Sequence, residues 1–337
     1  MVRVGLIGCG AWGKNLLRNF ANLPGCTLLT CCDESAKQVE KISPGYPGIK
    51  FTQDPREIIE NPNLDAVVIV TPPASHFQLC KAAIMADKDV FVEKPLVLNT
   101  REGEELVELA EEKKKILMVG HIMEYHAATL KLKEYIDKGE LGRVYYLYSS
   151  RVNLGKVRDM ENALWSFAPH DISMILFLLG KEPVSVTATG QCYLQKDKEI
   201  EDVVFMNMRF DDGTMAHVHV SWLDPHKERR LTVVGDKKMA VFDDARSAEK
   251  IWIYDKGVQT KQDYSTYGEY LSLRFGDVVI PNIPATEPLR TECEHFIECV
   301  KSRKRPRSDG RDGLRVSKVL DAAQRSLKTG GSPVEIK

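Results

Sequence analysis

Three short stretches of this 337-residue chain place reactive side chains at spacings that suit chemistry. "GLIGCGAWGKN" sets Gly8, Gly10 and Gly13 in a GxGxxG spacing, with Ala11 and Trp12 inside the loop. In a strand–turn–helix context such glycines have separate tasks. Gly8 allows the tight turn, Gly10 lets backbone approach a pyrophosphate, and Gly13 lets the helix pack on the strand. The pyrophosphate would lie on the helix N-terminus, where free N–H groups and the dipole favour an anion. Asp33 follows Gly13 by twenty positions, the place where a carboxylate accepts bonds from a ribose 2′-hydroxyl and repels a 2′-phosphate. The cofactor expected is therefore NAD. The second stretch, "VEKPL", puts Glu93, Lys94 and Pro95 at the end of an apolar run, where an ammonium could bind a substrate hydroxyl as its proton leaves. The third, "ENALWSFAPHDISMILFLLG", sets His170 between Pro169 and Asp171, ahead of the apolar run 172–179. It reads as an imidazole at a helix start. The residues alone leave two readings open at each place: Lys94 as catalyst or as a solvated partner of Glu93, and His170 as base or as helix-start decoration.

These side chains need elements to position them. Over the first 120 residues, strand and helix signals alternate: "VRVGLIG", "CTLLTCC", "IKFT", "LDAVVIVTPP", "DVFVEKPL" and "ILMVG" are strand-like, with helical spacing between them. Thr100 is a plausible N-cap for the "TREGEELVELAEEKKK" helix. This grammar predicts a doubly wound parallel sheet. In such sheets ligands bind outside the strands' carboxyl ends, which places Thr71, Pro72 and His76 of "VTPPASH", with Glu93 and Lys94, near the cofactor. Beyond residue 120 the grammar changes to adjacent strand runs joined by turns such as "DDG" and "GDKK", hence a large open, mainly antiparallel sheet in an α+β domain. Residues 258–289 read as loop, and two helices close the chain. The expected division is 1–120 for the dinucleotide-binding domain and 121–337 for substrate binding and oligomerisation, with the final helix free to pack back on the first domain.

The glycine fingerprint, "TPP..H", "EKP", "VGH" near 119 and Pro-His-Asp together resemble the glucose–fructose oxidoreductase/inositol dehydrogenase (Gfo/Idh/MocA) family over nearly the whole chain. The resemblance implies a Rossmann domain followed by an α/β domain whose open sheet supports a homodimer or homotetramer. It implies hydride transfer between NAD(P) and a sugar or polyol carbon, with Lys94 matching the lysine of the family's EKP motif and His170 its acid/base histidine. Many members carry an aspartate four positions before that histidine; here the position is Ser166. The segment 151–173 and "GAWGKNLLRNF" look most similar to the branch acting on the C3 hydroxyl of UDP-N-acetylglucosamine, with the UDP-N-acetylglucosaminuronate enzymes as nearest neighbour. The expected reaction gives a 3-keto sugar; free sugars or inositol are the alternative substrates. Physically, Arg151, Lys156 and Arg158 are cations that could meet a diphosphate or uronate, Asn153 and Asn162 could bond sugar hydroxyls, and Trp165 could stack on a sugar or base. A solvated loop and a core aromatic are the blander readings of the same residues.

Composition limits the other classes. With 47 basic and 48 acidic residues the formal net charge is −1, which offers no long-range attraction to nucleic acid or anionic lipid. The basic run "KSRKRPRSDGRDG" lacks interleaved aromatics and reads as a solvated inter-helix loop. The eight cysteines form no CxxC or Cys/His zinc spacing, so no metal is expected and reduced thiols fit a cytoplasmic protein. No apolar run approaches a bilayer span. A dinucleotide-binding regulator without turnover is the rival of another class, with Ser166 in its favour and Lys94 and His170 against it.

Overall fold

The computed structural model describes residues 1–260 and 271–336. Along the chain come β1 (Val2–Ile7), α1 (Gly13–Ala21), β2 (Cys26–Cys32), α2 (Ala36–Ile42), β3 (Lys50–Thr52), α3 (Arg56–Ile59), β4 (Ala66–Ile69), α4 (His76–Met85), β5 (Asp89–Glu93), α5 (Thr100–Glu112) and β6 (Leu117–Gly120). The six strands pair in parallel in the order β3-β2-β1-β4-β5-β6, so the strand order reverses beside β1. β4 and β5 are buried at every residue because helices cover both sheet faces, which is why β4 and the Val90, Phe91 and Val92 centre of β5 read as apolar runs. The pleat sorts their side chains. Val4, Leu6, Val68 and Phe91 enter one core, and Ile7, Val67, Ile69, Val90 and Val92 enter the other. Asn99, not Thr100, caps α5, its side chain accepting from the Arg101 N–H.

Next come α6 (Ala127–Asp137), β7 (Val144–Val152), α7 (Ala163–Leu179), β8 (Ser185–Gln191), β9 (Val203–Arg209), β10 (Met215–Ser221), β11 (Glu228–Gly235), β12 (Met239–Asp243), β13 (Ile251–Thr260) and β14 (Leu271–Val279). The chain ends with α8 (Pro288–Ser302), α9 (Gly310–Lys328) and β15 (Val334–Glu335). The second sheet runs β14-β13-β12-β11-β7-β10-β9-β8-β15. Its hairpins are antiparallel as the turn chemistry requires, but β7 and β10 pair in parallel, so the sheet is mixed. Part of the 258–289 segment, expected as loop, is strand: β13 continues to Thr260 and β14 pairs with it, while residues 261–270 lie outside the described residues. The loop reading failed because the flanking strands carry no clean alternation. Buried Leu147, Met206 and Val218 face one side of this sheet; Tyr146, Tyr148 and Phe205, all exposed, face the other.

The chain forms two compact units, Met1–Tyr125 with Thr286–Asp321, and His126–Ala285 with Ala322–Lys337. The segment assigned from sequence to the second domain thus returns in part to the first. The reason is apolar: Leu289, Cys293, Phe296, Ile297 and Val300 of α8 complete the core on one face of the parallel sheet. Phe296 meets Phe20 and Phe91 edge-on, with centroids 6.3 and 5.7 Å away. No helix among the described residues is long and apolar enough to cross a membrane. Phe296→Ala should cost the first unit about 3–5 kcal/mol by removing a fully buried ring, read as a lower denaturant midpoint; an unchanged midpoint would show that α8 is not part of that core.

Candidate active site

The loop after β1 is shaped by glycine. Gly8 has φ +96°, and a Cβ there would lie 2.6 Å from the Val70 carbonyl oxygen. A Cβ on Gly13 would stand 2.0 Å from the Gly8 oxygen, so only glycine lets α1 start this close to β1. Around Gly10 a Cβ would meet nothing within 4 Å, leaving open space above the backbone. No side chain caps α1, and its Lys14 and Asn15 N–H groups donate to the Gly10 and Trp12 oxygens of the loop at 3.2 and 2.8 Å. At the end of β2, Asp33 accepts from the Cys9 N–H at 2.9 Å and the Ser35 N–H at 3.0 Å, one bond to each carboxylate oxygen. Each oxygen keeps a lone pair for a further donor. Gln38 donates to the Cys9 carbonyl at 2.8 Å and so holds the same residue through its next peptide group. Sequence reasoning passed over Gln38, although Ser35-x-x-Gln38 matches a capping box. Its Ser35 half forms, and the glutamine is diverted to the loop.

At the carboxyl ends of β4 and β5 a second set converges. His76 is fully buried, with Nδ1 2.8 Å from the Pro95 oxygen and Nε2 2.9 Å from the Thr71 oxygen. Both ring nitrogens are thus used by backbone. The expected cofactor contact is instead a clamp joining "TPP" to "EKP". Burial pushes the His76 pKa down against the two carbonyls, which pull it up; the neutral ring donates to one carbonyl at a time. Thr71 Oγ1 accepts from the Ser75 hydroxyl at 2.7 Å. Glu93 is buried at the end of β5, where its carboxylate accepts from the Trp12 indole N–H at 2.6 Å and from the Lys94 N–H at 3.1 Å. Burial raises the Glu93 pKa, while Trp12 and Lys94 oppose the shift. The structure therefore brings Trp12, Glu93 and Lys94 together.

In the second unit, Asn162 caps α7, accepting from the Trp165 N–H at 3.1 Å. His170 is therefore not at a helix start but in mid-helix, after Pro169, which is accommodated within α7. Proline biases the preceding residue away from helix, and here the Asn162 cap and the burial of Ala163, Leu164 and Ala168 outweigh that bias. Ser166, buried, lies one turn before His170 on the same face. Arg151 is not a free cation: its Nε lies 2.6 Å from Asp171 Oδ2, and both residues are buried. Asn162 also donates to Glu201 and Gln324, and the Trp165 indole donates to Gln324 at 3.0 Å, so both are held by protein partners. Arg158 pairs with Glu161 at 3.0 Å. Asn153 is half-buried, with its N–H bonded to the Ser221 oxygen.

Comparison with known proteins follows this geometry. A sequence model described as the oxidoreductase family, NAD-binding Rossmann fold, matches residues 2–121, and one for the GFO/IDH/MocA C-terminal domain matches 129–241. The chain belongs to the GFO/IDH/MocA oxidoreductase family. It is 26% identical to the scyllo-inositol 2-dehydrogenase (NAD(+)) of Bacillus subtilis, over 99% of this chain and 96% of that one. It is also 26% identical to the UDP-N-acetylglucosamine 3-dehydrogenase of Acidithiobacillus ferrooxidans, over 94% of each. A solved chain from Magnetospirillum magnetotacticum matches with a TM-score of 0.82 and 30% identity, covering 96% of this chain and 99% of that one. This GFO/IDH/MocA member is thus an NAD-binding oxidoreductase among sugar and inositol dehydrogenases.

Behind β6 lies a polar cluster that the sequence did not reveal. His121 Nδ1 is 2.7 Å from Asp312 Oδ2 and 3.5 Å from Glu124 Oε1, all three side chains being buried. They are the one group among the described residues with three such donor atoms within 4.8 Å. Hydrogen bonding accounts for their approach: Asp312 accepts from His121 and is hydrogen-bonded to Glu124. Glu292 of α8 is fully buried and electrostatically coupled to Glu93 and Glu124. Partners in three segments far apart in sequence left no local signal. Burial acts to lower the His121 pKa, but Asp312 and Glu124 outweigh it and raise it to about 9. Burial raises Glu124 to about 8, and hydrogen bonds from His121 and Glu124 bring Asp312 to about 2 against burial.

The signs of these shifts agree on the alkaline side. The His121 contribution is complete below its ordinary pKa of 6.5 and is lost as pH rises through about 9. Glu124 is protonated when folded but ionises near 4.5 when unfolded, so it also withdraws stability as pH rises towards about 8. Asp312 acts oppositely, its contribution disappearing only as pH falls from 3.8 through about 2. The urea midpoint of the wild type should therefore fall between about pH 6 and about pH 9, and fall less in Glu124→Gln. Parallel profiles for the two proteins would refute this account.

Proposed function

We propose that this oxidoreductase oxidises a secondary hydroxyl of a sugar or polyol to a ketone, most specifically the C3 hydroxyl of UDP-N-acetylglucosamine. The observation carrying the reading is Lys94 at the carboxyl end of β5, beside the Trp12–Glu93 pair and across the sheet edge from the glycine loop. The open space at Gly10 and the uncapped start of α1 fit a pyrophosphate. Asp33, with one N–H on each oxygen, fits ribose hydroxyls and disfavours a 2′-phosphate. When bound, NAD supplies the hydride acceptor.

In this reading Lys94 binds the reacting hydroxyl and stabilises the alkoxide character that develops on its oxygen. His170 takes the hydroxyl proton. The carbon–hydrogen electron pair leaves as hydride, so the products are ketone, reduced cofactor and one proton. A regulator without turnover is disfavoured because the chain retains both the lysine and the histidine.

The amino-sugar assignment draws on the Acidithiobacillus relative, 26% identical over 94% of each chain. A second reading, an inositol, has its own support: the inositol relatives of Bacillus subtilis and Thermotoga maritima are also 26% identical. The pairing of Arg151 with Asp171 further removes one cation from those available to a diphosphate. Purified protein with NAD should form NADH with UDP-N-acetylglucosamine when a ketone trap is present, and Lys94→Ala and His170→Ala should each lower turnover by about 10²–10⁴-fold while leaving NAD affinity largely intact. Formation of NADH with inositol alone would transfer the assignment to the second reading; turnover unchanged in both variants would refute the catalytic roles.

We also read the chain as a cytoplasmic homodimer or homotetramer, in keeping with its free cysteines. Tyr146, Tyr148, Phe205 and Met215 leave an apolar face on the mixed sheet, where Phe205 stacks on His219 at 4.4 Å. That face suits a second copy of the same sheet. Phe205→Asp should lower the mass measured by light scattering to that of a smaller species; an unchanged mass would place the interface elsewhere.

A further inference from the structure

The hydrogen bond from Trp12 to Glu93 spans the parallel sheet. Trp12 follows β1, Glu93 ends β5, and β4 lies between those strands. Adjacent strands are spaced by about 4.8 Å, so the indole lies across the carboxyl end of β4. Asp33 is at the end of β2, on the opposite side of β1. A dinucleotide whose adenine ribose meets Asp33 and whose phosphates meet the glycine loop must therefore run its other end towards β4 and β5, where Trp12 stands. The indole is 44% exposed although its N–H is fixed inward on a carboxylate that is only 8% exposed. A pinned nitrogen combined with an open ring is the arrangement of a platform.

We propose that Trp12, oriented by Glu93, is the surface on which the nicotinamide ring lies, and that it favours the oxidised ring over the reduced one. The chemical reason is charge. The oxidised nicotinamide is a cation and the reduced ring is neutral, while the face of an indole is the most favourable aromatic surface for a cation. Glu93 acts as a positioning residue: its acceptor oxygen holds the indole plane across β4 and stops it from turning into solvent. By stabilising the oxidised form in the binary complex, the platform selects the cofactor state that the oxidation requires.

The inference rests on the NAD-dependent reading, and the test separates the two. Calorimetric titration of NAD and of NADH into the wild type, Trp12→Leu, Trp12→Phe and Glu93→Gln gives the ratio of the two dissociation constants for each. A merely structural role would move both constants together. Trp12→Leu should weaken NAD about fivefold more than NADH, Trp12→Phe should keep part of the preference, and Glu93→Gln, which retains an acceptor oxygen, should keep most of it. Equal weakening of both cofactor forms by Trp12→Leu, or no weakening, would overturn the platform. A ratio that collapses in Glu93→Gln yet persists in Trp12→Leu would assign the preference to the carboxylate's charge and also overturn it. A wild type that binds neither form would instead overturn the cofactor assignment on which the platform depends.

Discussion

One buried imidazole holds the functional edge of the parallel sheet together. The chain leaves β4 and β5 in loops with little regular structure of their own, and the carbonyls there have no strand partner. His76 reaches two of them, Thr71 and Pro95, with its two nitrogens at 2.9 and 2.8 Å. The connection fixes where Lys94 emerges, because Lys94 immediately precedes Pro95. The neutral ring donates to one of these carbonyls at a time, and being short, planar and fully buried it keeps the other loop packed against its opposite edge. The ring is also the first residue of α4, so the helix behind the sheet and the loops in front of it are set by one group.

The same unit shows how much negative potential the fold will tolerate in its interior. Glu93, Glu124, Glu292 and Asp312 are all buried, and four ionised carboxylates could not share that interior. Their environments separate them. Asp312 remains ionised, having His121 and Arg315 as partners, whereas burial moves Glu93, Glu124 and Glu292 towards their neutral forms. A protonated carboxyl can donate as well as accept, and such a network holds its shape through direction more than through net charge. Buried polar groups of this kind commonly fix one arrangement at some expense in stability, and here they join the end of β5, the segment 121–124, α8 and α9.

What could be read from the sequence was whatever is encoded locally. The glycine loop and Asp33 obey a fixed spacing, because a turn, a helix start and the end of the next strand are set by short-range geometry. The parallel sheet is legible in the unbroken apolar run of β4 and in the alternation of strand and helix signals around it. Legibility failed where partners are distant or where one signal serves two uses. His170 reads as a helix-start residue because Pro169 stands before it, yet the cap is Asn162, about two turns upstream. Arg151 was grouped with exposed cations by type, and only the fold reveals Asp171 beside it. The return of α8 to the first unit follows from the apolar stripe Leu289, Cys293, Phe296 and Val300, which spacing displays but cannot direct to a particular sheet.

The Arg151–Asp171 pair also bears on how His170 could act as a base. An imidazole that takes a proton becomes a cation, and a carboxylate nearby lowers the cost of that charge. The position one turn before His170 holds Ser166, whose hydroxyl can orient a ring but carries no charge. Asp171 is adjacent in sequence, but its carboxylate meets a guanidinium at 2.6 Å, so the pair presents almost no net charge to its surroundings. Neither Ser166 nor Asp171 therefore offers an uncompensated negative charge to an imidazolium. In the proposed oxidation the substrate side contributes as well: a lysine ammonium bonded to the hydroxyl stabilises the developing alkoxide and so lowers the pKa of the hydroxyl whose proton His170 accepts.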